Sequence, residues 1–206
     1  MPRATYPRRD DHHRVAASEV LARHVRETGE PIDLPVPIEL IIESTYGLEI
    51  TYDELDEPPG ALILGALIPS AKRIVLNERH AEMFGRWVGP ERFTLAHELA
   101  HWIYDSDNPN QLTFDLEAMS DRQQFCYHRE SPGLSDDLRI RELNANKLAA
   151  HLLLPDYLVR AADVDAVLHD FRGTASRWGV SQQTLRIKLE ALGLVDDLDL
   201  RRLDGV

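Results

Sequence analysis

The stretch Arg92-Phe93-Thr94-Leu95-Ala96-His97-Glu98-Leu99-Ala100-His101-Trp102-Ile103-Tyr104 decides how this chain is read. Its apolar members, Phe93, Leu95, Ala96, Leu99, Ala100, Trp102 and Ile103, leave few positions free for water, so the spacing predicts a helix from about Glu91 to Tyr104 that is buried on several sides. Gly89-Pro90-Glu91 opens it, because proline is tolerated in a first turn where its missing N–H costs nothing. Histidines four apart on a helix lie about 40° apart around the axis, so both imidazoles project from one face and can converge on a single tetrahedral ion. Glu98 is offset by one residue step, about 100°. From there it reaches a water activated by such an ion without competing as a ligand, the position a general base must occupy.

The pattern H-E-x-x-H on a helix therefore points to zinc and to hydrolysis, provided a third donor exists. A catalytic zinc takes three protein ligands and keeps a fourth position for water. The chain has one cysteine, Cys126, so no thiolate pair is available and the third donor must be His, Asp or Glu. Glu142 fits best: it heads a stripe with Ala145, Asn146, Ala149 and Leu153 along the next strongly helical segment. A carboxylate at the head of a small, apolar stripe is costly to bury unless it is paired or bound to metal. Asp105, Asp115 and His128 are the alternative donors. Asn146, one turn after Glu142, is placed to orient it, while His151 lies nine positions on and faces the other way. Tyr104 shares the face of His97, and His128 and Tyr127 stand in a polar stretch, so these three are candidate hydrogen-bond donors to a developing oxyanion.

Outward from this centre, apolar periodicity predicts helices over His13–Thr28, Val36–Tyr46, Leu138–Leu154, Ala161–Phe171, Thr174–Trp178 and Ser181–Leu192. Leu48–Leu55, Ala61–Ile68 and Lys72–Asn77 read as three consecutive antiparallel strands separated by Pro- and Gly-bearing turns. The region 105–137 is polar and aperiodic and reads as an insertion, with room for a short helix over Phe114–Phe125. The expected organisation is an N-terminal tail and helix (1–30), a catalytic unit (31–160) and a small C-terminal helical module (161–206).

Charge narrows the partners. The 206 residues carry 35 acidic and 23 basic side chains, a formal net charge of −12, which opposes phosphate backbones and anionic membranes. Residues 161–206 hold eight acidic against six basic side chains, a poor balance for a DNA-binding module, so no direct nucleic-acid contact is expected. No apolar core of a secretory signal follows the N-terminal arginines, and the longest apolar run, Ala61–Pro69, is about half of what a membrane span requires. A reducing cytoplasm suits a chain with one thiol.

Two longer motifs carry a family likeness. Arg92 to His101, with Glu142, Ala145, Asn146, Leu148, Ala149, Ala150, Leu152, Leu153 and Pro155 in order behind it, resembles the signature of the ImmA/IrrE metallopeptidases. The likeness extends from about Ile32 to Ala175–Ser181, where it resembles a helix-turn-helix portion. It implies an α+β, zincin-like fold, mostly helical with a small antiparallel sheet and a helix-turn-helix-like C-terminal module. It also implies one zinc ion on His97, His101 and Glu142, with Glu98 as catalytic base, and a protein substrate that is a helix-turn-helix repressor or antitoxin-like regulator. Ala100 stands where glycine is common, a small-for-small change, and the 105–137 stretch is longer than in compact members. The rival expectation is a binding protein that sequesters a repressor without cutting it; the presence of Glu98 favours chemistry, since a structural site needs no base.

Overall fold

The computed structural model describes residues 9–58, 62–106, 124–127, 136–196 and 199. Helix α1 (Asp10–Thr28) begins on two aspartates that suit a helix N-terminus and ends at Gly29, whose left-handed φ of 78° lets its N–H return to the Val25 carbonyl. A single turn, α2 (Ile38–Leu40), runs on into a π-helical turn over Ile41–Thr45, so the predicted Val36–Tyr46 helix is shorter and wider than a regular one. Gly47, at φ 62°, then turns the chain into the sheet.

The sheet departs from expectation. Strands β1 (Glu49–Asp53), β2 (Ile63–Ile68) and β3 (Arg73–Asn77) do not lie in sequence order; β3 sits between the other two. It is antiparallel to β2 but parallel to β1, so the sheet is mixed, not antiparallel. A buried polar tie across this arrangement lies at the end of β3. Asn77 is fully buried, accepts the Leu55 N–H at 3.1 Å and donates to the Ile63 carbonyl at 2.8 Å, tying the exit of β1 to the entry of β2 across the strand between them. A fourth strand, β4 (Gln124–Tyr127), pairs antiparallel with β2 at the opposite edge, within the stretch expected to be a plain insertion. The Phe114–Phe125 helix falls almost wholly outside the described residues.

A short helix α3 (Ala81–Arg86) leads into α4 (Val88–Ser106), the long central helix, which packs on β2 and β3. Gly65 permits this approach: a Cβ there would stand 2.5 Å from Thr94 Cγ2. Thr94 is itself buried and donates back to the Pro90 carbonyl at 2.9 Å. Helix α5 (Asp136–Leu153) packs along α4, with α1 against α5. Four short helices complete the chain: α6 (Asp156–Ala161), α7 (Val164–His169), α8 (Phe171–Arg177) and α9 (Gln182–Ala191).

One apolar core joins α1, the sheet, α4, α5 and α9, from Ala17 through Leu64, Leu99 and Leu148 to Leu189. The turn between α8 and α9 is fitted against the start of α4. A Cβ on Gly89 would meet the Ser181 amide nitrogen at 2.7 Å, and Gly179, at φ 66°, lies against the Arg92 side chain. Arg92, largely buried, also grips the Glu39 carboxylate with bonds of 2.7 and 2.9 Å and donates to the Val36 carbonyl. Lys188 of α9 is buried too, donating to Asp156 at 2.5 Å beside His151 of α5 at 3.1 Å. Val180, Leu185 and Leu189 point inward, whereas Ile187 stands 56% exposed.

Candidate metal centre

Helix α4 carries His97, Glu98 and His101 into the interior because both of its sides are covered, by β2 and β3 on one and by α5 on the other. The ring nitrogens His97 Nε2 and His101 Nε2 face each other at 2.9 Å. Glu142 enters from α5 and spans the two, with Oε2 3.1 Å from His97 Nε2 and Oε1 3.3 Å from His101 Nε2. One donor atom from each residue lies within 4.8 Å of the others, and this is the group among the described residues that can hold a metal ion.

The three separations suit a tetrahedral ion. Bonds of ~2.0–2.2 Å at tetrahedral angles put neighbouring donors about 3.3–3.6 Å apart. The observed 2.9, 3.1 and 3.3 Å need only a few tenths of an ångström of opening. In the metal-free chain His101 Nε2–H can donate to His97 Nε2 across this gap, and a cation that displaces that proton relieves the repulsion of the two lone pairs. His97 is fixed for that role from behind: its Nδ1–H donates to Asn146 Oδ1 at 2.9 Å, which leaves Nε2 with its lone pair forward. Asn146 thus meets His97, where the sequence had suggested Glu142.

Charge at the site favours a cation as well. Burial works against an ionised Glu142, yet the facing His101 and His97 rings outweigh it and hold the carboxyl well below the ordinary carboxylate range. Burial likewise lowers the proton affinity of His97, but Glu142, Glu98 and Asn146 reverse this and raise it. Glu98 behaves differently. It is fully buried, neither oxygen makes a full hydrogen bond among the described residues, and burial pushes its carboxyl up to about 7 against the pull of His97, His101 and the Leu67 backbone amide. A carboxyl with that proton affinity takes and returns a proton near neutral pH.

The remaining sequence candidates divide. The Tyr104 hydroxyl meets His13 Nδ1 of α1 at 2.5 Å, and its ring stacks on His12 with centroids 6.0 Å apart. His128 and Asp115 lie outside the described residues, and Tyr127 belongs to β4. Asp105 is held by Arg141 at 2.7 Å and stands apart from the three-residue group. His151 sits beside Lys188, away from the centre, as its helical offset requires. Sequence reasoning missed the Arg141–Asp105 pair. Part of its signal was present: Asp105 lies four residues after His101 and so shares its face, whereas Arg141, next to Glu142, is offset by about 100°.

No curated protein matches the chain. Among solved structures, a Mycobacterium tuberculosis transcriptional regulator is similar at 22% identity with a TM-score of 0.49, over 87% of this chain and 46% of that one. The chain thus spans less than half the length of that protein. No helix among the described residues is long and apolar enough to cross a membrane. The peptidase family described as the IrrE N-terminal-like domain matches residues 43–190, a span that takes in the sheet, α4 and Glu142, and the chain belongs to that family.

Proposed function

We propose that this protein is a zinc-dependent endopeptidase in which His97, His101 and Glu142 hold the ion and Glu98 serves as the base. The observation that carries the proposal is the convergence of two imidazole nitrogens and a carboxylate, with a fully buried glutamate, one residue after His97 and three before His101, whose oxygens lack a full hydrogen bond among the described residues. Bound zinc would supply Lewis acidity, lowering the pKa of a coordinated water and polarising the scissile carbonyl. The chain's own groups do the rest. Asn146 keeps the His97 proton on Nδ1, so Nε2 remains a donor. Glu98, whose burial raises its proton affinity while a neighbouring zinc would favour its charged form, accepts the proton of the attacking water and delivers it to the leaving amine. Its burial between α4 and β2 keeps bulk water from competing for that proton.

The likeness to ImmA/IrrE peptidases supplies the substrate class, a helix-turn-helix repressor or antitoxin-like regulator. Residues 161–206 would form a helix-turn-helix-like module that docks it or braces the catalytic unit. Elemental analysis after gel filtration tests the metal site: one zinc per chain in the parent and in Glu98→Gln, and loss of zinc in His97→Ala, His101→Ala and Glu142→Ala. Full zinc in Glu142→Ala would remove Glu142 from the ligand set.

A further inference from the structure

The Asp105–Arg141 pair takes no part in the chemistry proposed above, yet it occupies a deliberate place. Asp105 lies one helical turn beyond His101 on α4, and Arg141 immediately precedes Glu142 on α5. Arg141 Nη2 donates to Asp105 Oδ2 at 2.7 Å, with the two side chains only 14% and 11% exposed. Three positions of α4, four residues apart, each meet a polar residue of α5, but these rungs are unevenly spaced on α5: Asn146 and Glu142 are a turn apart, whereas Glu142 and Arg141 are adjacent and the long Arg141 side chain closes the last rung. His97 meets Asn146 at 2.9 Å, His101 meets Glu142 at 3.3 Å, and Asp105 meets Arg141.

Local preference does not explain the outermost rung. Asp105 stands in the last turn of α4, where the carbonyl end of the helix dipole disfavours a carboxylate. Nor does stability, because a largely buried ion pair gains little or nothing over apolar side chains of similar size. In some proteins a buried polar pair fixes which faces of two helices meet, and a fixed face is what the neighbouring rung requires. A slip of one residue between the helices moves a side chain ~1.5 Å along the axis and ~100° around it. Metal sites accept departures of about 0.2 Å in ligand distance.

We propose that Asp105 and Arg141 are positioning residues, a lock that sets the register of α5 on α4 and so delivers the Glu142 carboxylate to His97 and His101. This rests on the metal-ligand role of Glu142 proposed above. The test compares zinc affinity, measured by competition with a chromophoric chelator, with thermal unfolding of the metal-free full-length chain. Asp105→Asn should weaken zinc binding about tenfold, the size typical of lost outer-sphere support, while still saturating at one zinc per chain. In Asp105→Leu/Arg141→Met the melting temperature should return to that of the parent, because no charge is left buried alone, but the zinc affinity should not. Parent-level zinc affinity in Asp105→Asn or in the double variant overturns the lock. Complete loss of zinc in Asp105→Asn, matching His101→Ala, also overturns it by making Asp105 a ligand. Glu142→Ala is run alongside: undiminished affinity there sinks the metal-site proposal itself, an outcome distinct from failure of the lock alone.

Discussion

Replacing Glu98 by glutamine should change how the metal-free protein responds to pH, in a direction and amount set by burial. The Glu98 carboxyl rises from an ordinary 4.5 to about 7 in the folded chain. Its folded value exceeds its unfolded one, so between these values the folded state holds a proton that the unfolded state has lost. Stability from this group is therefore fully present below about pH 4.5 and declines as pH rises through about 7, beyond which the charged carboxylate stays buried at full cost. A shift of about 2.5 units at ~1.4 kcal/mol each amounts to roughly 3 kcal/mol. Glutamine has the same shape and no titration. Denaturant melts of zinc-free parent and Glu98→Gln at pH 5 and pH 8 should thus show the variant gaining on the parent by about 3 kcal/mol as pH rises. Taking the difference between the two proteins removes the common titrations of His97 and Glu142 and leaves Glu98 with its coupling to His97. Added zinc should abolish most of the difference, since a dication beside Glu98 favours the charged form. Parallel stability curves for the two metal-free proteins would refute the claim that Glu98 is a buried, proton-holding group.

Other perturbations follow from the same geometry. Asn146→Ala removes the acceptor of His97 Nδ1–H and should lower zinc affinity 10- to 100-fold, about 1.4–2.7 kcal/mol, in the same chelator competition. Gly65→Ala drives a methyl to within 2.5 Å of Thr94 Cγ2 and should cost about 1–3 kcal/mol in denaturant melts, with much of the loss recovered by adding Thr94→Ser, which deletes that methyl. Mobility-shift titrations with duplex DNA at low salt should show no saturable binding, because the chain carries a net charge of −12 and α9 offers Arg186 and an already buried, paired Lys188. Specific binding lost on Arg186→Ala would reverse that conclusion.

The long helices α1, α4 and α5 were legible in the sequence because each writes its own signal, whereas the six-residue helices α3 and α6 were not read and Val36–Tyr46 is a single turn running into a π-helical one. Gly29 marks the end of α1, and the apolar saturation of 93–103 announces that α4 is buried. The convergence of His97, His101 and Glu142 was legible for the same reason: four-residue spacing on one helix fixes which groups share a face, and the stripe headed by Glu142 fixes its partner face on α5. The sheet was not. Alternation of apolar residues identifies strands but carries no record of their order, and the parallel pairing of β1 with β3, beside which Asn77 ties Leu55 to Ile63, rests on contacts between segments distant in sequence. Strand β4 escaped because four residues in a polar stretch make no period of their own and pair only once β2 offers an edge. Ile187, though apolar, lies on the outer face of α9, opposite Leu185 and Leu189. The partner of Asn146 was misjudged because helical offset along α5 cannot say which residue of α4 stands opposite.

The central claim, that this buried arrangement of two histidines and two glutamates hydrolyses peptide bonds in a helix-turn-helix regulator, is tested most directly by mass spectrometry. A candidate helix-turn-helix regulator would be incubated with the zinc-loaded parent protein and, separately, with zinc-loaded Glu98→Gln. The account predicts discrete regulator fragments whose masses sum to the intact chain plus one water in the first reaction and intact regulator in the second. Equal fragmentation by both proteins would contradict the assigned chemistry, and an intact regulator that nevertheless binds both would replace the peptidase with a sequestering protein.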